Sequence, residues 1–532
     1  MKDYAADKIR NIALVGHGSS GKTSLASAFL FNGGATSRLT KVEKGNTVTD
    51  YDPDEIERNI SINSAACFLE WNGHKINVVD CPGYSNFLWD TKACLGAVDA
   101  GAVVVDGASG IEVGTEKVWE MLKEIGLPRI IIINKLDREN SDFARTVESI
   151  HQFFGRQAIP VQIPIGKEKD FSGVVDLISK KVYVFDKDEG GKFKESEIPA
   201  DLEEVAGKKI EELTEMVAEN DEQLMEKYFE KGELSPEELV AGIKIGVNSR
   251  QLFPIFASSA ILNIATQPIL NGFVDFLPSP LDRGEVKAKI KGDEGTIKTL
   301  KDESFSALVF KTISDPYTGR ISLMRIFSGT LKPDSTVMNP SQEADERLGG
   351  LFFLQGKEQV PAGEAKIGDI IATAKLRTTY TGDTLCAKGA SVVFPRINFP
   401  EPSISFAIEP KTRADEDRIS QAIHRITEED PTARIERDSE TNELIISGNG
   451  QLHVEIITDR LKKRYGVNVL LKPPKIPYKE TIRGRSDVQG KYKKQTGGRG
   501  QYGDVKIKME PLARGKDFEF EDKIFGGAIP RN

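Results

Sequence analysis

The chain has 532 residues, which at roughly 100–200 residues per domain corresponds to about three to five domains and excludes a single small binding module. With 72 Lys+Arg against 81 Asp+Glu the net charge is −9, and 39% hydrophobic with 29% charged residues is the profile of a soluble globular protein, excluding disorder as the dominant state. The acidic balance argues against non-specific coating of nucleic acid and leaves local basic patches free to meet phosphates.

The first stretch alternates short apolar runs with helical patterns. Residues 11–15 form a buried-strand pattern that runs into a glycine-rich turn and a helical pattern over 22–31, and the runs at 75–79, 102–105 and 130–133 repeat the strand signal. Strands separated by helices predict a doubly wound, mainly parallel sheet. From 165 to 253 the pattern changes to a strand-like 173–184 and a charged helical stretch over 202–231. A buried strand resumes at 252–257, so this segment reads as an insert in the first domain. Pro278, Pro280 and the charged segment up to Lys301 read as a linker. From 305 to 393 short strands are punctuated by Gly319, Gly329, Gly363, Gly368 and Gly382, the rhythm of a small β-barrel. Pro400 and Pro402 mark a second boundary, after which strand-like 404–407 and 444–447 and helix-like 415–429 and 451–465 predict a small α+β sandwich. Pro473, Pro474 and Pro477 mark a third, followed by a Gly- and Lys-rich stretch.

The four cysteines, Cys67, Cys81, Cys94 and Cys386, form no CxxC pair and have no His at metal-ligand spacing, so neither a zinc site nor a disulfide framework is expected. The start of the chain has no basic stretch leading into an apolar core, and the longest apolar runs fall far below the ~20 residues of a membrane span. The expected location is the cytoplasm, with no membrane contact.

GHGSSGKT at 16–23 fits the phosphate-binding loop template, directly after a strand and at the start of a helix. Gly16 and Gly21 let the backbone amides of His17, Gly18, Ser19 and Ser20 curl round phosphates; Lys22 reaches the β and γ oxygens, Thr23 offers a hydroxyl to Mg²⁺, and Ser24 follows in the helix. NKLD, Asn134, Lys135, Leu136 and Asp137, follows the buried strand at 130–133. The Asp137 carboxylate can accept hydrogen bonds from the ring N–H and the exocyclic amino group of guanine, a pair adenine does not present, so guanine is preferred. Asn134 would fix the base edge, the stem of Lys135 would lie along the ring, and Ser258, Ser259 and Ala260 would offer backbone N–H groups to the guanine carbonyl. In DCPGY at 80–84, Asp80 can hold Mg²⁺ through water and Gly83 can offer its N–H to the γ-phosphate. The polar stretch 45–62 has the make-up of a mobile switch, with Ser61 the hydroxyl placed on Mg²⁺. These residues imply GTP and GDP as ligands, with Mg²⁺.

Together with ISGNGQLHVEI at 446–456 and KYKKQTGGRGQYGDV at 491–505, these motifs resemble translation elongation factor G over essentially the whole chain, and in their departures its divergent elongation factor G-like branch. The resemblance implies a GTPase domain over 1–280 with an insert at about 160–252, a β-barrel over 281–399, a ferredoxin-like α+β domain over 400–476, and the start of a fourth domain over 477–532, the fifth being absent. It also implies a GTP hydrolase that works on the ribosome, touching rRNA and ribosomal proteins, in movement of the tRNA–mRNA complex. The alternative is a ribosome-associated GTPase for protection, recycling or regulation. A monomer is expected. Lys493, Lys494, Gly497, Gly498, Arg499 and Gly500 would be at or near the tip that reaches the decoding centre, where glycines permit close approach and cations suit RNA phosphates.

Four positions depart from the family pattern. Tyr84 stands where the family has the His that positions attacking water, Ser61 replaces a threonine, Asn59 a glycine, and Ser19 the phosphate-loop aspartate. A tyrosine hydroxyl orients water but offers no imidazolium charge near neutral pH, so slower or differently triggered hydrolysis is expected, with Tyr84, Lys22 and Gly83 as the catalytic set. His453 reads as a structural helix residue. GGAIPRN at 526–532 lies inside the fourth domain, and a truncated product is expected.

Overall fold

The computed structural model describes residues 2–300, 303–315, 318–478, 480–498 and 500–526. It divides into two compact units, Met1–Glu436 with Leu444–Pro473, and Arg437–Glu443 with Pro474–Asn532.

The first unit begins with β1 (Ile9–Gly16), α1 (Lys22–Asn32), α2 (Pro53–Arg58), β2 (Ala65–Trp71), β3 (His74–Asp80), α3 (Leu88–Leu95), β4 (Ala100–Asp106), α4 (Val113–Ile125), β5 (Arg129–Asn134), α5 (Phe143–Phe154) and β6 (Ala158–Pro160). An insert follows: β7 (Gln162–Ile165), β8 (Gly173–Asp176), β9 (Lys181–Phe185), β10 (Phe193–Ser196), α6 (Ala200–Ala218), α7 (Glu222–Lys231) and α8 (Pro236–Asn248). β11 (Phe253–Ala257) and α9 (Thr266–Phe276) close the domain. The main sheet runs β2-β3-β1-β4-β5-β11-β6, parallel except for β2. Because β1, β3, β4 and β5 are buried along their whole length, they read as continuous apolar runs rather than alternations. Strand parity divides them between two cores. Ile12, Leu14, Val104 and Ile132 meet Leu25 and Phe29 of α1 and Phe273 of α9 on one face; Ala13, Val15, Val105 and Ile133 meet Leu95, Val118 and Leu122 on the other.

Three expected segments are built differently. The run read as one strand over 173–184 is the hairpin β8–β9, since Asp176 Oδ1 accepts from the Ile178 and Ser179 N–H groups and turns the chain. The helical stretch over 202–231 breaks into α6 and α7 where Asp221 caps the Gln223 and Leu224 N–H groups. The switch-like loop contains a helix, α2, started by Pro53 and by a capping box in which Asp52 and Glu55 satisfy each other's backbone.

The linker read up to Lys301 is in fact a hairpin, Glu285–Ile290 with Asp293–Lys298, that also pairs with Val392–Val393. Its first strand does alternate, with Val286 and Ala288 turned to a small core that includes Ile297 and Glu285, Lys287 and Lys289 on the outer face, but the prolines and the density of charge around it read as a linker. Beyond it an eight-stranded antiparallel sheet wraps a core of Val309, Met324, Ile326, Val337, Ile371 and Leu385. Phe310, Ile321, Leu323 and Phe352 of this barrel join the core around α3 and α4, so the two domains share one apolar seam. Buried ion pairs cross it: Lys311 with Asp90 at 2.5 Å, Lys75 with Asp369 at 2.8 Å and Arg325 with Asp99 at 2.9 Å.

The α+β domain pairs strand Ile404–Pro410 with Leu444–Gly448 on one side and Val469–Lys472 on the other, covered by helices Arg413–Glu429 and Gln451–Tyr465. His453 is buried here, Nε2 2.6 Å from Asp430 Oδ2 and Nδ1 accepting from the Asn449 N–H, the geometry of a structural residue. The second unit contains an exposed antiparallel hairpin, Ser486–Lys494 with Gln501–Met509. Among the described residues no helix is long and apolar enough to cross a membrane.

Candidate nucleotide-binding site

β1 ends at Gly16, whose φ of 148° and that of Gly21, 94°, turn the chain back so that α1 opens with its free N–H groups facing the loop. The turn is tight: a Cβ on Gly21 would stand 2.3 Å from Asn134 Nδ2. Lys22 Nζ is buried and donates to Gly16 O at 3.2 Å and His17 O at 2.7 Å. Burial brings its pKa down to about 8, against the pull of Asp80. Ser20 Oγ is buried with no partner among the described residues, and Ser24 lies in the first turn of α1. His17 turns its ring away: Nδ1 accepts from the Gly114 N–H at 3.1 Å and Nε2 lies 3.5 Å from Glu112. Only its backbone belongs to the loop.

At one end of the loop the hydroxyls of Thr23 and Ser61 stand 3.1 Å apart, beside Asp80. Asp80 Oδ2 accepts from Thr49 Oγ1 at 2.8 Å, while its Oδ1 is buried without a partner among the described residues. Asp50 joins this group; burial, then the Asp80 charge, push its pKa up to about 7. An orphaned carboxylate oxygen, a second buried acid and two converging hydroxyls are the hard-oxygen donors that Mg²⁺ takes. Among the described residues no three His, Cys, Asp or Glu side chains gather elsewhere or here, so such an ion would rely on these hydroxyls and at most two carboxylates. Gly83 presses against the loop: a Cβ there would lie 2.5 Å from Lys22 Nζ and 2.6 Å from Gly16 O. Tyr84 places its hydroxyl 3.2 Å from Ser19 Oγ, against the phosphate loop and exposed to solvent.

At the other end Asn134 ties three segments together. Its Nδ2 donates to Ser20 O at 3.0 Å, and its Oδ1 accepts from Ser258 Oγ at 3.2 Å and the Ala260 N–H at 3.0 Å. The Ser259 N–H goes to Ile264 O at 3.1 Å. The N–H groups of Ser259 and Ala260, expected to face a guanine carbonyl, are thus engaged inside the protein, because Asn134 and Ile264 supply nearer acceptors. Lys135 lies across the loop, donating to Ser19 O and, at 2.7 Å, to Asp106. Asp137 Oδ1, three residues beyond Asn134, is buried and without a partner among the described residues.

α2 carries the site outward. Asp52, Asp54, Glu57 and Arg58 face helix Gln451–Tyr465: Arg460 lies 3.3 Å from Asp52 and 3.7 Å from Asp54, Lys463 2.9 Å from Asp54, and Arg58 2.7 Å from Asp459. Below them Ile62, Phe87 and Ile456 form a small apolar cluster that Ile60, Tyr84 and Leu452 border.

Sequence reasoning passed over Asp50, Thr49 and Asp106. Asp106 ends β4 beside Asn134 of β5, as Asp80 ends β3. The signal was a carboxylate at a strand end, but its meaning depends on which strands pair. Of the basic and glycine residues expected to meet RNA, Lys493 and Lys494 end strand Ser486–Lys494, Gly497 and Gly498 turn with φ of 68° and 94°, and Gly500 precedes Gln501. Arg499 lies outside the described residues.

Residues 7–279 match the elongation factor Tu GTP binding domain family, 304–388 elongation factor G domain 2, 399–473 elongation factor G domain III and 474–532 elongation factor G domain IV. Elongation factor G of Thermotoga petrophila is 41% identical over 529 residues, 99% of this chain and 76% of that protein, and that of Thermotoga maritima 40% over the same span. A crystal structure of a Thermus thermophilus protein superposes with a TM-score of 0.85 at 34% identity, covering 98% of this chain and 76% of that one.

Proposed function

The chain belongs to the elongation factor G family of translational GTPases, and on that premise we propose that it binds GTP and GDP with Mg²⁺ and hydrolyses GTP on the ribosome. In this reading the cycle drives movement of the tRNA–mRNA complex, and the protein works as a cytoplasmic monomer. The observation that carries the reading is a pair of buried carboxylate oxygens without partners among the described residues, Asp137 Oδ1 and Asp80 Oδ1, at the two ends of one phosphate loop. A desolvated acceptor left empty costs about 1–3 kcal/mol, more when charged, and guanine and a hydrated cation are the groups that fill these two.

Thr23, Ser61 and Asp80, with Asp50 behind them, would hold Mg²⁺, which neutralises charge developing on the phosphates when bound. Lys22 would leave its present carbonyl partners for the β and γ oxygens, and Gly83, too tightly packed for any side chain, would bring its N–H to the γ-phosphate. Tyr84 would orient the attacking water through its hydroxyl. Lys493, Lys494, Gly497, Gly498, Arg499 and Gly500 would meet RNA.

One observation favours a second reading, a ribosome-bound GTPase for protection, recycling or regulation in which hydrolysis times release. The Tyr84 hydroxyl is held by Ser19 rather than free. Ribosome-stimulated GTP turnover, measured with mRNA displacement on defined ribosomal complexes, separates the two. Turnover with displacement supports translocation, and turnover with ribosome release alone supports the second. No binding of guanine over adenine nucleotides would refute both. A Tyr84→His variant tests the substitution itself: no gain in turnover would show that the tyrosine is not what limits the rate.

A further inference from the structure

Tyr84 touches the phosphate loop twice. Its hydroxyl lies 3.2 Å from Ser19 Oγ, and its ring covers Gly18 so closely that a Cβ on residue 18 would stand 2.9 Å from both Cε2 and Cζ. Gly18 is not among the residues with positive φ, so the missing side chain makes room for the ring rather than easing the backbone. Ser19, by contrast, has a φ of 64°, a left-handed conformation that L-residues with a Cβ adopt sparsely. Its hydroxyl meets Tyr84 from that strained position. On its far side Tyr84 borders the apolar cluster of Ile62, Phe87 and Ile456 together with Ile60 and Leu452. The ring is therefore seated between the phosphate loop and the helix Gln451–Tyr465, and its hydroxyl is the end that is free to change partner.

A hydroxyl cannot hold Ser19 and an attacking water in the same geometry. We infer that Ser19 is a positioning residue that parks the Tyr84 hydroxyl on the phosphate loop, with Gly18 providing the seat, and that hydrolysis waits for this hydrogen bond to break. The inference rests on the proposed reading that the chain hydrolyses GTP. Residues 18, 19 and 84 then act as one unit: a glycine that admits the ring, a serine that holds its tip, and a tyrosine in place of an imidazole. The pair is exposed and neutral, so its strength is that of one ordinary hydrogen bond, which shifts a two-state population by about fivefold.

The test is steady-state GTP turnover of the full chain without ribosomes. Ser19→Ala is expected to raise kcat about fivefold and leave KM unchanged, because it frees a group already in the site without altering how substrate binds. Tyr84→Phe keeps the ring packing and removes the hydroxyl, so the double variant should match Tyr84→Phe alone. Gly18→Ala unseats the ring, and its effect on the affinity for a fluorescent GDP analogue should largely vanish when combined with Tyr84→Ala. A gain from Ser19→Ala that persists in the Tyr84→Phe background, or no gain at all, overturns the latch. Failure of the unmodified chain to bind the fluorescent GDP analogue overturns instead the nucleotide reading beneath it.

Discussion

Removing Arg460 should loosen α2 while leaving the domains folded. Its side chain is only 7% exposed, and it faces Asp52 at 3.3 Å and Asp54 at 3.7 Å, themselves 6% and 3% exposed. Glu429 lies in the same cluster and has its pKa raised by burial, so Arg460 is the cation that makes three buried acids tolerable together. Breaking a buried pair by deleting one partner costs about 3–5 kcal/mol, since the remaining charges stay desolvated. Lys463 and Arg464 still reach Asp54 and Asp52 from the rim, which puts the expected loss for Arg460→Met at the lower end, about 3 kcal/mol. Local opening of α2 then becomes about 150 times more frequent by the relation of 1.36 kcal/mol per decade. Amide hydrogen exchange of residues 53–62 reads this directly, with protection in β4 and β5 as the internal control. Protection of 53–62 unchanged within about threefold would show that the charged contact does not hold the segment. Loss of protection in β4 and β5 as well would show a global rather than a local role.

Asp137→Ala should lower GDP affinity by at least about a hundredfold in equilibrium titration, the loss of two hydrogen bonds to a charged acceptor at about 1.5–3 kcal/mol each, and bring GDP and ADP to similar affinity. Retention of guanine preference would refute the assignment of that carboxylate. Affinity for Mg²⁺–nucleotide should peak between about pH 7 and 8. Below about 7 the cation must displace a proton from Asp50, whose pKa is raised by burial and by Asp80, and above about 8 the phosphates must bind a Lys22 that burial has neutralised. Each limb falls by up to about tenfold per pH unit, and Lys22→Arg should flatten the alkaline one. A flat profile from about pH 6 to 9 would count against both assignments.

The motifs were legible because each combines a strand end with a residue type whose chemistry admits few other uses there. The phosphate loop, Asp80 and Asn134 all follow continuous apolar runs, and those runs are the buried central strands. Less legible were short elements whose signal is outweighed by their surroundings. The hairpin over 285–298 does alternate Val286, Ala288 and Ile290 with charges, but it is short and follows Pro278 and Pro280, and α2 is six residues held by Asp52, Pro53 and Glu55 instead of by an apolar stripe. Partner choice was also hidden. Nothing near Ala260 in the chain says that its N–H will go to Asn134, 126 residues away, or that the Tyr84 hydroxyl will find Ser19, 65 residues away.

The unsatisfied groups of the site are best understood together. Lys22 is a buried cation resting on carbonyls, Asp50 and Asp80 are neighbouring buried acids whose pKa values are both raised, and Asp137 and Ser20 each hold a polar atom without a partner among the described residues. At the domain seam buried charges face an opposite charge, as Arg325 with Asp99 and Lys311 with Asp90 show, although Asp90 Oδ1 and Arg325 Nε are also without a partner among the described residues. Around the loop two neighbouring buried acids share one buried lysine, an arrangement that a polyanion and a divalent cation would relieve. Tyr84 meets Ser19 at one end and borders Ile456 of helix Gln451–Tyr465 at the other, and the acids of α2, which ends three residues before Ser61, pair with Arg460 and Lys463 of the same helix. If a ligand that displaces Ser61 or Ser19 shifts these contacts, reciprocity requires the helix to alter the affinity for that ligand by the same factor.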